Sequence, residues 1–273
     1  MKVVLFCGGE GMRLRGYSED VPKPMVTVGS RPVLWHVMKY YAHFGHKDFI
    51  LCLGYKANAI KDYFLQYEES VSNDFIFSHG GRQLEFMQRD IDDWKITFVD
   101  TGLRSTIADR LRVVEPHLHG DEMFLANYSD GLTDFPLPQM IEEFSRRDSY
   151  ASFLSVQPRS SSLDTVHLDD DGSVQGIKCM KDSNIWVNGG YFVLRKDVFR
   201  YIKPGEELVY EPFQRMISAG RVWSRRYNGF WQCMDTFRDK QILDELEASG
   251  AAPWRLWKNG HNNGQPTAQA VVC

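Results

Sequence analysis

The sequence predicts an α/β fold in which a mostly parallel, mixed sheet is flanked by helices. Short apolar stretches typical of strands recur along the chain, and helical stretches lie between several of them, which is the βαβ rhythm of a parallel sheet. The first strand, residues 3–6, is apolar on both faces, as buried parallel strands are. A chain of 273 residues with 43% hydrophobic and 25% charged residues can fill such a Rossmann-like sheet.

Six strands and one clear helix can be placed from the pattern. The predicted strands are residues 3–6, 47–53, 95–99, 123–126, 150–156 and 191–194. The helix covers residues 32–44, where apolar side chains recur at i, i+3 and i+4 between Pro32 and Gly45. His36 lies inside this helix, and we interpret it as a tolerated helix residue rather than a ligand.

Three segments depart from this rhythm. Residues 69–94 predict an extended insertion, which is the kind of segment that carries function or oligomer contacts. Residues 167–174 place Asp-Asp-Gly between apolar positions and predict a hairpin turn, whereas the ligand spacing of a calcium loop is absent. Residues 259–273 are rich in Gly, Asn, Gln and Pro and predict a flexible tail. We therefore expect a single domain over residues 1–258.

Composition excludes several classes of protein. A formal net charge of −4 and a pI near 6.1 argue against a nucleic-acid-binding protein. The five cysteines show no CxxC spacing, so neither a disulfide framework nor a zinc site is predicted, and a reducing cytoplasm fits best. The sequence shows neither a secretory leader nor a long apolar run, which argues against membrane insertion.

The first strand runs into a glycine-rich loop, Cys7-Gly8-Gly9-Glu10-Gly11-Met12-Arg13. Glycines after a buried strand allow backbone N–H groups to close around a phosphate, although an ordinary tight turn explains them equally well. The loop lacks the third glycine of the dinucleotide-binding fingerprint and the Gly-Lys-Ser/Thr of the Walker pattern. A nicotinamide-dependent oxidoreductase is therefore disfavoured.

Charged residues follow other strands, at the edge where ligands bind in open parallel sheets. Lys23 lies between two prolines that could fix its position beside a triphosphate, although Pro-Lys-Pro is also common in surface turns. Asp130 follows the strand at 123–126 and could bind Mg²⁺ or simply form a turn. Asp235 lies in apolar surroundings, where a carboxylate needs a partner such as a metal.

Taken in order, these residues resemble a known family, the sugar-1-phosphate nucleotidyltransferases. The resemblance extends from Met1 to about Trp257 and rests on GGEGMRL, PKPMVTVGSRPVLWHVMKYY, DFILCLGYK, YSDG, NGGYFVL, EPF and GFWQCMDTFRDK. The stretches PVLWHVMK and GFWQ-MDT-RDK are typical of its cytidylyl branch, the glucose-1-phosphate cytidylyltransferases. The resemblance implies a nucleotidyltransferase fold of the glycosyltransferase-A type, with CTP and a sugar 1-phosphate as substrates and Mg²⁺ as cofactor.

The resemblance also implies roles for individual residues. Arg13, Lys23, Asp130 and Asp235 would be catalytic, and the two aspartates would bind the metal. The nucleotide-binding set would be Phe6, Cys7, Gly8, Gly9, Glu10, Gly11, Met12, Arg13, Lys23, Ser105, Arg110 and Ser129. The sugar-phosphate set would be Lys181, Asn188, Gly189 and Glu211.

Three departures from the family pattern leave the acceptor open. The glycine pair expected before Arg110 is replaced by Ala108-Asp109, and the Phe-x-Glu-Lys-Pro segment is absent near residues 177–181, where Lys181 or Lys178 could substitute. Pro-Gly-Arg-Phe-Gly-Ala-Leu is replaced at residues 158–163 by a run of serines. We therefore expect an active enzyme whose acceptor is glucose 1-phosphate or another phosphorylated metabolite. The alternatives are a nucleotide-binding scaffold that has lost turnover and a transferase that uses a nucleoside triphosphate other than CTP. The aromatic content and the long insertion further suggest a homo-oligomer.

Overall fold

The strands of the main sheet account for most of the architecture. A computed structural model describes residues 1–9, 21–158, 164–180 and 183–261. In chain order the strands are β1 (Lys2–Phe6), β2 (Thr27–Val28), β3 (Arg31–Pro32), β4 (Asp48–Leu53), β5 (Phe75–Ser78), β6 (Gln83–Phe86), β7 (Lys95–Asp100), β8 (Met123–Tyr128), β9 (Gly131–Thr133), β10 (Ala151–Val156), β11 (Asp164–Leu168), β12 (Val174–Cys179), β13 (Val187–Asn188), β14 (Phe192–Arg195), β15 (Val222–Tyr227) and β16 (Trp231–Cys233). The helices are α1 (Val33–His43), α2 (Ala57–Leu65), α3 (Ile107–Val114), α4 (Leu137–Ser145), α5 (Glu211–Ser218) and α6 (Phe237–Ala248).

The central sheet is mixed and mostly parallel, as predicted. β1 lies between β4 and β8 and is parallel to both, and β7 continues the parallel run beyond β4. On the other side β14 is antiparallel to β8, and β10 pairs with β13 and β14 on one edge and with β15 on the other. The carboxyl ends of β1, β8 and β10 therefore meet at one edge of the sheet, where ligands bind in open α/β folds.

The alternation of side chains along β1 shows why this strand is apolar throughout. Val3 and Leu5 pack into one hydrophobic cluster, while Val4 and Phe6 pack into the cluster on the opposite face. Helices α1, α2, α4 and α6 contribute side chains to the first cluster, and α3 and α5 contribute to the second. A fully buried large apolar side chain contributes about 1.5–3 kcal/mol.

The predicted elements are found close to their expected bounds. The six predicted strands correspond to β1, β4, β7, β8, β10 and β14, and the predicted helix is α1. Pro32 is the N-cap of α1 rather than a residue of its first turn. His36 is buried in α1 between Val28 and Trp254, which agrees with a structural role.

The two irregular segments are both two-stranded ribbons. The 69–94 segment contains the hairpin of β5 and β6, and the predicted turn at 167–174 joins β11 to β12. Gly172 has a φ of +87° in that turn, a value that favours glycine. Of the predicted tail, residues 259–261 end a short 3₁₀ helix, and residues 262–273 lie outside the described residues.

Across the described ranges, the helices are all too short or too polar to span a lipid bilayer.

Candidate active site

A pair of short antiparallel strands brings the two predicted metal ligands together. Asp130 immediately precedes β9, and Asp235 follows β16 by two residues, while Gly131 pairs with Cys233 in the ladder between these strands. The amide of Met234 also donates to the carbonyl of Asp130 at 2.9 Å. Residues far apart in the sequence are thus held side by side at the carboxyl end of β8.

Lys23 lies between the two carboxylates. Its Nζ atom is 2.5 Å from Oδ2 of Asp130 and 2.5 Å from Oδ1 of Asp235. Burial alone would lower the pKa of Lys23, but the two carboxylates outweigh it and raise that pKa above its ordinary value of 10.5. Lys23 is therefore charged at neutral pH, and the cluster has two negative charges and one positive charge.

The backbone places Lys23 there through a short 3₁₀ helix. This helix covers Lys23–Met25, with Pro22 as its N-cap and Pro24 in its first turn. The amides of Met25 and Val26 donate to the carbonyls of Pro22 and Lys23, and Met25 is buried in the core. Two prolines and a buried anchor fix the backbone on both sides of the ammonium group.

The glycine loop begins next to this cluster, at the end of β1. Phe6 is buried, and its carbonyl accepts a hydrogen bond from the hydroxyl of Ser129 at 3.0 Å, which ties the loop to the segment containing Asp130. Cys7 is fully buried, and burial raises the pKa of its thiol to about 12, so this thiol is not a nucleophile at neutral pH. Glu10, Gly11, Met12 and Arg13 lie outside the described residues.

The guanidinium of Arg110 is buried against the backbone of the glycine loop. Its guanidinium donates to the carbonyl of Gly8 at 3.1 Å, to the carbonyl of Leu53 at 3.2 Å and to the hydroxyl of Thr101 at 2.7 Å. Only 3% of its surface is exposed, and burial lowers the pKa of the guanidinium below its ordinary value. Arg110 therefore holds the loop in place and puts a buried positive charge near Gly8.

Asp109, which replaces a family glycine, contacts the segment around Gly205. Its carboxylate accepts a hydrogen bond from the amide of Gly205 at 2.9 Å, and that amide holds the pKa of Asp109 below its usual value. Its own amide donates to Thr106, the N-cap of α3. Asp109 thus connects α3 to the segment around Gly205.

The predicted sugar-phosphate residues lie in three places. The side-chain amide of Asn188 donates to the hydroxyl of Tyr128 at 3.3 Å, two residues before Asp130. The carbonyl of Gly189 accepts a hydrogen bond from the indole of Trp231 at 2.9 Å. Glu211 begins α5 and binds the amide of Glu207, and Lys181 lies outside the described residues. The structure thus brings Asn188 and Gly189 next to the strands that carry the aspartates.

Ser105, which was predicted to bind the nucleotide, and Lys178 lie in the loop before α3 and on β12. The hydroxyl of Ser105 donates to the carbonyl of Thr101, in the loop before α3. Lys178, a candidate substitute for the missing family lysine, is exposed on β12 and pairs in register with Thr165.

Sequence reasoning missed the residue that positions Asp235. Asp239 is 7% exposed, and its carboxylate accepts hydrogen bonds from the amides of Asp235 and Thr236 at 3.2 and 2.8 Å. It also accepts from the side-chain amide of Gln232 at 2.8 Å. Thr236 and Asp239 form the capping box of α6, and the Thr-x-x-Asp spacing directly after Asp235 was the available signal.

Comparisons with known proteins identify the family of this chain and similar folds. Residues 2–235 match the Nucleotidyl transferase family. The chain is 36% identical over 262 residues to glucose-1-phosphate cytidylyltransferase of Salmonella typhi, which covers 94% of this chain and all of that protein. The fold is similar to the crystal structure of HddC from Yersinia pseudotuberculosis, with a TM-score of 0.67, 20% identity, and 90% and 99% of the two chains covered. It is also similar to a putative glucose-1-phosphate thymidylyltransferase from Bacillus anthracis, with a TM-score of 0.66, 17% identity, and 97% and 98% covered.

The family match spans the strand with the glycine loop, the lysine between the prolines and both aspartates, and the relative from Salmonella typhi matches over nearly the whole chain. The chain belongs to the nucleotidyltransferase family.

Proposed function

We propose that this chain transfers a cytidylyl group from CTP to a sugar 1-phosphate, giving a CDP-sugar and pyrophosphate. The observation that carries the proposal is the convergence of Asp130 and Asp235 on Lys23 beside the glycine loop. In this reaction a phosphate oxygen attacks the α-phosphorus of the nucleotide, and no covalent intermediate with the protein is needed. The protein must hold two polyanions in line and neutralise the charge between them.

The carboxylates of Asp130 and Asp235 fit a magnesium site. Both point at one position, since Lys23 Nζ lies 2.5 Å from each, and Mg²⁺ prefers one or two carboxylates together with phosphate oxygens and water. Within the described ranges, no group of three or more His, Cys, Asp or Glu side chains is placed to hold a metal ion, so phosphate oxygens and water would complete the site. When bound, Mg²⁺ would neutralise charge on the phosphates and make the α-phosphorus more electrophilic.

The other described residues supply positioning and charge. The backbone from Phe6 to Gly9 would approach the nucleotide, because among the described residues nothing lies within 4 Å of the position that a Cβ atom on Gly9 would occupy. Lys23 would neutralise phosphate oxygens once they enter, and two like charges 4 Å apart otherwise repel by about 4 kcal/mol at an effective dielectric of 20. Arg110 would add positive potential from behind the loop.

The choice of CTP and the sugar is supported by similarity. The relative from Salmonella typhi is named for glucose 1-phosphate and a cytidylyl group. Among the three departures, residues 159–163 lie outside the described residues, Lys178 is exposed on β12, and Asp109 accepts a hydrogen bond from the amide of Gly205. The acceptor is thus glucose 1-phosphate or a related sugar 1-phosphate, bound on the side of Tyr128 and Asn188. We also propose that the enzyme acts as a homo-oligomer in the cytoplasm, where thiols such as Cys7 and Cys52 stay reduced.

The test is pyrophosphate release with Mg²⁺ from CTP, UTP, dTTP, GTP and ATP, each combined with a panel of sugar 1-phosphates and other phosphorylated metabolites. We expect CTP-dependent turnover with a sugar 1-phosphate. Turnover with glucose 1-phosphate at the rates usual for such enzymes would reject the hypothesis that the acceptor differs from glucose 1-phosphate. If no combination of nucleotide and acceptor released pyrophosphate, the proposed enzyme activity would be rejected in favour of a nucleotide-binding scaffold.

Variants locate that turnover at the proposed site. Asp130→Asn and Asp235→Asn should each lower kcat by at least about 100-fold, because each removes charge from the metal site. Asp62→Asn is the matched control, since Asp62 is an exposed residue of α2. If the control lost as much activity as the site variants, the assignment of the site would be wrong.

A further inference from the structure

Tyr191 has a backbone conformation that tyrosine rarely adopts. It lies directly before β14, and its φ angle of +52° follows a φ angle of +75° at Gly190. The left-handed region is open to glycine, whereas a residue with a bulky side chain is strained there, and such residues cluster at functional sites. A second glycine would make this turn without strain, so the side chain of Tyr191 has a role that offsets the strain.

The turn at Tyr191 connects the proposed acceptor residues to the central sheet. The amide of Gly190 donates to Oδ1 of Asn188 at 2.9 Å, and the amide of Tyr191 donates to Oδ1 of Asn127 in β8 at 3.0 Å. A Cβ atom on Gly190 would lie 2.5 Å from that same Oδ1, so the turn packs directly on the side chain of Asn127. Asn188 and Gly189, which we propose bind the sugar phosphate, are thus held in a fixed relation to β8.

The side chain of Tyr191 extends from this turn to the proposed metal site. It is completely buried, and its hydroxyl donates to the carbonyl of Gly131 at 2.8 Å. Gly131 is the first residue of β9 and directly follows Asp130, whose own carbonyl accepts a hydrogen bond from the amide of Met234. Two successive carbonyls are therefore fixed, one by Met234 and one by Tyr191. The hydroxyl of Tyr191 thus holds the backbone immediately after a proposed metal ligand.

The aromatic ring of Tyr191 is itself held by two tyrosines of α1. The ring of Tyr40 meets it edge-on with 5.1 Å between the ring centroids, and the ring of Tyr41 stacks on it at 5.8 Å. All three side chains are buried, so close packing fixes the direction of the Tyr191 hydroxyl. Phenylalanine could make the same ring contacts but could not donate to Gly131. The hydroxyl rather than the ring is therefore the group that acts on the metal site.

We propose that Tyr191 is a positioning residue whose hydroxyl sets the place of Asp130 relative to the acceptor turn at Asn188 and Gly189. This inference rests on the proposed function, in which Asp130 binds the metal and the turn binds the sugar phosphate. The action is indirect, because the hydroxyl holds the carbonyl of Gly131 and the preceding residue carries the carboxylate. The reaction depends on the alignment of two polyanions, and a displacement of about 1 Å can lower its rate about 100-fold.

Tyr40 offers a matched control for the loss of one buried hydroxyl. Its hydroxyl donates to the carbonyl of Phe135 at 2.7 Å, and both residues are buried. Phe135 lies two residues beyond the end of β9, whereas Gly131 begins that strand. Tyr40→Phe and Tyr191→Phe therefore remove the same kind of hydrogen bond near opposite ends of one strand. Both variants should lower the midpoint of urea unfolding to a similar extent.

Titration with Mn²⁺, followed by the electron paramagnetic resonance signal of the free ion, tests the position of Asp130 without turnover. Tyr191→Phe should raise the dissociation constant for Mn²⁺ about 10-fold, because groups that orient a metal ligand contribute about 10- to 100-fold to affinity. Tyr40→Phe should leave that constant within about 2-fold of the wild-type value. Asp130→Asn shows whether Asp130 binds the ion, and it should weaken Mn²⁺ binding more than Tyr191→Phe does.

Steady-state kinetics at saturating Mg²⁺ supply a second readout. Tyr191→Phe should lower kcat about 10-fold and leave KM for the sugar 1-phosphate within about 2-fold, because the hydroxyl holds Gly131 rather than a substrate. If Asp130→Asn weakened Mn²⁺ binding while Tyr191→Phe did not, the inference would be overturned and the proposed function would stand. Equal losses of Mn²⁺ affinity in Tyr40→Phe and Tyr191→Phe would overturn it too, since the hydroxyl would then serve the fold alone. Unchanged Mn²⁺ binding in Asp130→Asn would instead reject the proposed metal site, and the inference with it.

Discussion

Gly8 shows how a residue can be required for a reason that its neighbours in the sequence do not reveal. The glycines after β1 predict a loop that needs backbone freedom, yet the φ angle of Gly8 lies outside the left-handed region. A Cβ atom on Gly8 would lie 1.9 Å from Nη1 and 2.4 Å from Cζ of Arg110. Gly8 is therefore needed because the guanidinium occupies the space of a side chain.

Gly8→Ala should lower the free energy of unfolding by about 2–3 kcal/mol, since overpacking a filled site costs about 1–3 kcal/mol and Arg110 would lose hydrogen bonds. Gly9→Ala is the matched control: among the described residues nothing lies within 4 Å of the position its Cβ would occupy. That variant should change stability by less than about 0.5 kcal/mol. Urea unfolding measures both, and equal effects would contradict the role of Arg110.

At the scale of elements, the strands were predictable and the pairing that builds the site was not. β1, β4 and β8 are buried on both faces, so their apolar runs identify them in the sequence. β9 and β16 have three residues each and are far apart in the chain, and no local pattern shows that they pair. Sequence similarity predicted Asp130 and Asp235 as a pair, whereas the physical reason for their proximity is this short ladder.

The start of α6 determines where Asp235 lies. Asp239 accepts hydrogen bonds from the amides of Asp235 and Thr236 and from Gln232, so it joins the helix cap, the end of β16 and the proposed metal ligand. Because Asp239 holds the backbone amide of Asp235, we infer that it is a positioning residue. Its carboxylate lies in the first turn of α6, near the positive end of the helix dipole, where an acidic side chain stabilises the helix.

Asp239→Asn should lower kcat by about 10- to 100-fold and raise the Mg²⁺ concentration needed for half-maximal rate, because Asp235 would no longer be held in place. Loss of the cap should also cost about 1 kcal/mol of stability. Glu245→Gln makes the same chemical change at an exposed position of α6 and should alter neither quantity. A variant that lost stability but kept its Mg²⁺ dependence would show that Asp239 serves the helix alone.

At the scale of the whole molecule, His36 joins the beginning of the fold to its end. Its Nε2 lies 3.0 Å from the carbonyl of Val28, and its Nδ1 accepts a hydrogen bond from the indole of Trp254 at 3.2 Å. The ring is completely buried, and burial lowers its pKa from 6.5 to about 3, with the charges of Arg255 and Arg31 acting in the same direction. The folded chain therefore keeps His36 neutral where an unfolded chain would protonate it.

This difference predicts a pH dependence of stability. Well above pH 6.5 His36 is neutral in both the folded and the unfolded state, so its contribution to stability is constant. As the pH falls from 6.5 towards 3, His36 binds a proton in the unfolded state but not in the folded state. Stability should fall by about 1.4 kcal/mol per pH unit over that range from this group. His46, whose pKa burial lowers to about 4, adds to the same trend, so the wild-type slope alone is not diagnostic.

His36→Gln isolates the contribution of His36, because glutamine offers a donor and an acceptor but does not titrate. We expect this variant to be less stable than the wild-type chain at pH 7, because the buried packing is disturbed, and to lose stability more slowly as the pH falls. The slopes of the two proteins should differ by about 1.4 kcal/mol per pH unit between pH 6 and 4. Urea unfolding at a fixed protein concentration measures both slopes. Parallel lines would mean that His36 is protonated in the folded chain, and that the hydrogen bond from Trp254 to its Nδ1 is not maintained in solution.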